Sequence, residues 1–236
     1  MTQSLFHDDA YACTCEATVV RCEAGIVVLD RTVFYATGGG QPGDTGQLAA
    51  GDLTVPVIGT IKGEGDEIVH QVEGMPPLAA GQAVVATLDW PRRHRLMRFH
   101  TALHLLCAVV DAPVTGGRMA EDKAHLDFDI DMALLDGEAI ERRLNELVLA
   151  DLPVAVGAIR DEELDANPGL VKTMSVQPPR GQGSVRTIRI ADVDYQPCGG
   201  THLARTGEVG PVRVARIRSE GRRNKRVTLV FAEDPA

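Results

Sequence analysis

Four side chains with metal-ligand chemistry stand in two pairs. His100 and His104 lie in RFHTALHLL, and Cys198 and His202 lie in QPCGGTH, nearly a hundred residues later. Residues four apart on a helix project from one face, one above the other. Two imidazoles in that register could grip one ion. Cys198 follows a proline and precedes two glycines, a setting in which a tight turn presents a thiolate outward. Three imidazole nitrogens and one thiolate at roughly 2.0–2.3 Å make a tetrahedral zinc site, because zinc accepts that mixture of borderline and soft ligands. Neither pair means much alone. A histidine in an apolar helix is more often a packed core residue, and a lone cysteine is often a small buried hydrophobe. Together they point to one centre. Four protein ligands would fill the shell, as in a structural site. A catalytic ion would need His202 displaced or weakly bound, or a fifth ligand. The sequence leaves both open.

The elements that must position these residues follow from pattern. Residues 90–111 read as a helix, with Leu96, Phe99, Ala102, Leu103, Leu106 and Val110 as its apolar stripe, Pro91 at the first helical position and Asp89 near the cap. Residues 185–195 read as a strand leading into the Cys-Gly-Gly turn. Around them, 124–131 and 153–160 alternate as strands, 137–150 is an amphipathic helix, 161–167 a short one, and 207–219 and 226–232 are closing strands. Upstream, 12–36 holds two or three strands with a turn near Ala24-Gly25. Short strands follow over 47–61, 66–72 and 83–89, with 75–82 a loop. Several short strands without helices predict a small β-barrel closed by the strand at 83–89. The fold class is therefore α+β: a β-barrel over 1–89, then an α+β domain over 90–236 with a mostly antiparallel sheet.

An apolar fraction of 44% is ample for a core, and no apolar run is long enough to span a bilayer. The amino-terminal residues lack the charged start and apolar core of a signal peptide. Five cysteines (13, 15, 22, 107 and 198) without framework spacing suit a reducing cytoplasm, with Cys13, Cys15 and Cys22 as strand or surface thiols. The net charge of −9 argues against a nucleic-acid partner until it is divided. Residues 1–89 carry 12 acidic and 3 basic side chains, whereas the remainder carries 21 of each. Basic residues then cluster at Arg92, Arg93, Arg95 and Arg98, running into the histidine helix, and again from Arg213 to Arg226. A basic cluster is usually a solvated face. Beside a metal helix it favours a phosphate-bearing ligand.

Residues 36–46, ATGGGQPGDTG, cannot be a regular element. Gly38, Gly39 and Gly40 would let backbone approach a ligand, with Thr37 or Gln41 supplying polar contacts; a plain barrel corner accounts for them equally well. Asp122 and Lys123 are weak candidates to place water or stabilise charge, and an ordinary surface loop is the better account of them. No Ser-His-Asp grouping supports an acyl-enzyme route.

RFHTALHLL and PCGGTH resemble the His-x-x-x-His and Cys-x-x-x-His signatures of the alanyl-tRNA synthetase editing domain, and FYATGGGQPGDTG resembles its glycine-rich stretch, in the same order and spacing. The resemblance runs from about residue 12 to 232. Since the chain begins almost at the barrel, it is most similar to the free-standing AlaX family of trans-editing deacylases, in its medium-sized form. The paired signatures also occur in threonyl-tRNA synthetase editing domains, while the Gly-Gly-Gly-Gln stretch and the barrel favour the alanine branch. The resemblance implies hydrolysis of serine, and also glycine, from mischarged alanine tRNA. It implies zinc on His100, His104, Cys198 and His202, and substrate contacts from Thr37 to Gln41. Acceptor-stem phosphates would then meet Arg92, Arg93, Arg95 and Arg98, and the run Arg222, Arg223, Lys225 and Arg226. Two rivals stand beside this reading: a zinc-stabilised RNA-binding module without catalysis, and a metal-dependent deacylase of small amino esters or amides.

Overall fold

A computed structural model describes residues 1–174 and 183–234, which divide into two compact units, Met1–Arg95 and Leu96–Ala236. No helix among the described residues is long and apolar enough to cross a membrane.

The first unit is built from β1 (Gln3–Ser4), β2 (Thr14–Glu23), β3 (Ile26–Leu29), β4 (Arg31–Thr32), β5 (Gly46–Ala50), β6 (Leu53–Lys62), β7 (Ile68–Val72) and β8 (Ala83–Leu88). Six of these close into a barrel in the order β2-β3-β7-β6-β5-β8, and every pairing in it is antiparallel. Alternation explains the closure: Val19, Leu29, Leu48, Val57 and Leu88 on the barrel strands are almost wholly buried in one core, which Phe34 joins from the loop after β4. The stretch expected as one strand over 47–61 is a hairpin. It turns at Gly51, which sits at φ +61°, a conformation glycine adopts at little cost.

The helix α1 (Trp90–Val110) begins inside the first unit and continues into the second. Asp89 caps it, its carboxylate accepting from Arg92 N at 3.2 Å, so Pro91 occupies the second helical position rather than the first. Residues 96–107 are buried around almost the whole girth of the helix, with Arg98 the exception. The expected stripe is thus only one side of an element enclosed on all sides, which is why two histidines inside it lie away from water.

The second unit continues with β9 (Val114–Met119), β10 (Ala124–Phe128), α2 (Gly137–Leu149), β11 (Val154–Arg160), α3 (Asp161–Ala166), β12 (Ser184–Ile190), β13 (Asp194–Pro197), β14 (Val212–Ser219) and β15 (Lys225–Phe231). One antiparallel sheet runs β14-β15-β10-β9 and another β11-β12-β13. Phe99 of α1 stacks on Phe231 of β15 with ring centroids 4.0 Å apart. Asp136 caps α2 through Glu138 N and Ala139 N, and Asn145 bonds both the N–H and the carbonyl of Val212, tying that helix to β14.

Three expectations for this unit change. The strand over 185–195 is two strands joined by a turn in which Ala191 takes φ +41°. The strand over 207–219 starts only at Val212, because Thr206–Val209 forms a 3-10 turn. β9 was not expected, because Gly116-Gly117 interrupts its apolar pattern.

Candidate metal centre

His100 and His104 are one turn apart on α1 and only 7% and 5% exposed. Opposite them, the chain leaves β13 at Pro197 and turns through Cys198-Gly199-Gly200. Arg186 of β12 fixes this turn, its Nη1 donating to the carbonyls of Cys198 at 2.8 Å and Gly200 at 2.9 Å. Cys198 Sγ then lies 3.4 Å from His100 Nε2 and 3.3 Å from His202 Nε2. The four donor atoms all lie within 4.8 Å of one another. For a tetrahedral ion with a sulfur ligand at ~2.3 Å and a nitrogen at ~2.05 Å, the sulfur–nitrogen edge is about 3.6 Å. Both sulfur–nitrogen distances are thus close to that edge, and the four donors could hold a single ion.

The far side of two of the rings is also engaged. His104 Nδ1 pairs with Asp194 Oδ2 at 2.8 Å, and His202 Nδ1 pairs with Thr101 Oγ1 at 3.3 Å. Those contacts hold each Nε2 toward the cluster. Burial resists ionisation of the Cys198 thiol, but the neighbouring imidazoles, His100 first, hold its pKa well below the usual thiol range. Burial, with His100 beside it, keeps His202 neutral by lowering its pKa. Burial also opposes a charge on His104, yet Asp194 and Cys198 together raise its pKa to about 9. Burial likewise opposes ionisation of Asp194, but His104, Gln196 and Lys172 hold it at about 2. One thiolate among imidazoles in a water-poor site is the chemistry of a metal centre.

Residues 8–92 match the family described as tRNA synthetases class II (A), and residues 185–228 match the threonyl and alanyl tRNA synthetase second additional domain. The chain is 34% identical to the alanyl-tRNA editing protein AlaX-M of Saccharolobus solfataricus, covering 96% of this chain and 98% of that one. It is 31% identical to AlaX-M of Methanosarcina acetivorans over 99% and 100% of the two chains. The chain belongs to the AlaX-M family of alanyl-tRNA editing proteins. It is also 38% identical to the alanine–tRNA ligase of Pyrobaculum calidifontis, matching 25% of that longer protein. Editing of a charged tRNA is cleavage of an aminoacyl ester, so the AlaX-M family places this chain among the aminoacyl-tRNA deacylases.

Other residues of this AlaX-M chain fall into distinct settings. In the first unit, Gly38 and Gln41 bond each other's backbone across a tight turn, with Gly39 at φ +56° and Gly40 at φ +82°. The Thr37 hydroxyl accepts from Gly43 N at 2.8 Å and donates to Thr60 O at 3.2 Å. Gly43 is obligatory, since a Cβ there would stand 1.9 Å from Thr60 O. Gln41 is fully buried, which leaves Thr37 and the glycine backbone as the exposed groups of the loop. Asp122 and Lys123 pair with each other at 3.1 Å in an exposed turn, as the surface-loop account expected.

The basic residues divide sharply. Arg93 is wholly buried: Nε and Nη2 bond Asp44, Nη2 also Val33 O, and Nη1 Ala10 O. Lys225 is 7% exposed and donates to the carbonyls of Gly221 and Arg222. The expectation that these two meet phosphate is therefore corrected: both hold the fold. Arg226 is paired with Asp127 and Glu220, and Arg98 with Val209 O and Glu233. Arg92 donates to Gly43 O. Arg95 is half-buried. Arg222 and Arg223 remain exposed at the β14–β15 hairpin, Arg223 paired with Asp129. Sequence reading missed Asp194, Gln196, Lys172 and Arg186. One signal was available for the first two: they alternate on the short strand that ends just before Cys198, and so share a face.

Proposed function

We propose that the protein hydrolyses the ester joining a wrongly attached amino acid, serine foremost and glycine second, to alanine tRNA. The observation that carries this reading is the convergence of His100, His104, Cys198 and His202 in a chain whose relatives are named as alanyl-tRNA editing proteins. A synthetase pocket for alanine excludes glycine poorly, because glycine is smaller, and rejects serine poorly, because one added hydroxyl is a near-isostere. A second hydrolytic site is the remedy. Zinc is the ion proposed, on the strength of the one-thiolate, three-imidazole donor set. When bound there, zinc supplies Lewis acidity, by which an ester carbonyl is polarised, a water activated or a substrate amino group anchored.

The chain's own residues do the rest. Asp194 and Thr101 hold imidazoles in register, and Arg186 holds the turn that presents Cys198. Thr37 and the backbone of Gly38–Gly40 are proposed to receive the aminoacyl group, with a hydrogen bond to the serine hydroxyl as the basis for sparing alanine. Arg222 and Arg223, and likewise Arg92, Arg95, Arg98 and Arg226, are proposed to meet RNA phosphates, contacts that position the acceptor end without reading its sequence.

A non-catalytic RNA-binding module is the second reading, because four protein ligands fill a tetrahedral shell. Deacylation of serine-, glycine- and alanine-charged alanine tRNA separates the two. The purified protein should release serine fastest and alanine least. Chelation, His104→Ala and Cys198→Ala should each remove most of that turnover. Binding of charged tRNA without turnover would discard the hydrolase reading in favour of the module. Equal rates on free serine esters would discard the tRNA as the substrate.

A further inference from the structure

Asp194 divides its two oxygens between unlike partners. Oδ2 accepts from His104 Nδ1 at 2.8 Å and from Gln196 Nε2 at 2.9 Å, while Oδ1 accepts from Lys172 Nζ at 3.0 Å. The carboxylate side chain is 0% exposed and the lysine 23%. Burying a carboxylate is costly unless its charge is used. Here it lies directly behind an imidazole whose other nitrogen faces Cys198, His100 and His202.

We infer that Asp194 and Lys172 are a positioning pair for the metal centre, with opposed effects on how tightly it holds its ion. Asp194 keeps hydrogen on Nδ1 of His104, leaves Nε2 bare for the ion and makes the ring a stronger donor. Lys172 limits that effect. A divalent ion and the Cys198 thiolate together carry one positive charge, which Asp194 alone would cancel. The ammonium of Lys172 restores it, so the centre stays cationic toward an ester oxygen or a water. Attraction from the carboxylate tightens ion binding, and repulsion from the ammonium loosens it. The two residues reach the centre from different segments, β13 and the stretch after α3, so no local motif announces the pair.

This inference rests on the metal-binding reading, and the test keeps their failures apart. Zinc affinity would be measured on the full chain by competition with a chromophoric chelator. The proteins are wild type, Asp194→Asn, Lys172→Met and His104→Ala, each with the thermal midpoint of its metal-free form as a folding control. Asp194→Asn should weaken zinc binding about 10–100-fold. Lys172→Met should bind zinc more tightly than wild type. A plain structural ion pair predicts a parallel loss in both, and that result overturns the inference. So does an unchanged affinity in Asp194→Asn while His104→Ala loses zinc, an outcome that leaves the metal centre standing. Wild-type protein that takes up no zinc overturns both. Should Asp194→Asn fail to fold, Lys172→Met at its partly exposed position still decides: binding no tighter than wild type sinks the pair.

Discussion

At the scale of single residues, type alone is a poor guide to role. Arg93 and Arg222 are both arginines in basic clusters, yet one is sealed in the first unit and the other stands in solvent. Arg93 is neutralised by Asp44, which also accepts from Tyr35 N at 2.6 Å. Taking the charge from one partner of a buried pair strands the other, a loss of about 3–5 kcal/mol. Asp44→Asn should therefore lower the urea midpoint of the full chain steeply. A change of less than about 0.5 kcal/mol, the range of an ordinary surface substitution, would show that the pair does not secure the loop between Phe34 and Asp44. The four clustered donors were legible from spacing because i, i+4 on a helix and a Pro-Cys-Gly-Gly turn are local geometries. The partners behind them were not, because Asp194 meets His104 across 90 residues of chain.

At the scale of elements, the barrel is held by a histidine as well as by apolar alternation. His70 on β7 is fully buried: its Nδ1 donates to Val27 O at 3.1 Å, and its Nε2 lies 2.8 Å from Thr32 Oγ1. Burial lowers its pKa to about 4. The unfolded chain takes up a proton near pH 6.5, whereas the folded chain resists until about 4. Stability is thus fully present above pH 6.5 and falls as pH drops through that window, by about 3 kcal/mol in all. Urea titrations from pH 7.5 to 4.5 should show this decline, and His70→Asn should flatten it. An equal slope in both proteins would assign the pH dependence to other groups. The barrel and its closing strand were readable because period-2 alternation and glycine turns are short-range signals. The enclosure of α1 was not, since a helix buried on all sides and one with a stripe differ only in what surrounds them.

At the scale of the whole molecule, a chain of net charge −9 is proposed to hold a polyanion. Its acid excess lies in residues 1–89, and the exposed arginines of the β14–β15 hairpin lie in the other unit. Binding of alanine tRNA should weaken as salt rises, with a log–log slope of about 0.7–0.9 per phosphate neutralised. Arg222→Ala with Arg223→Ala should flatten that slope. Lys225→Ala should leave the slope alone and lower the thermal midpoint instead, since its ammonium caps hairpin carbonyls. An identical slope in the double variant would remove the hairpin from the RNA-facing surface.

Sequence by itself determined the α+β class, the barrel, the helix that carries two imidazoles and the turn that carries the thiolate. Each depends on neighbours within a few positions, where propensity and periodicity act. Packing alone settled which arginines are exposed, that Gln41 is buried, and that a carboxylate and an ammonium stand in line behind His104. Those outcomes depend on which distant segments the packed chain brings within 3 Å, and no local pattern records that distance.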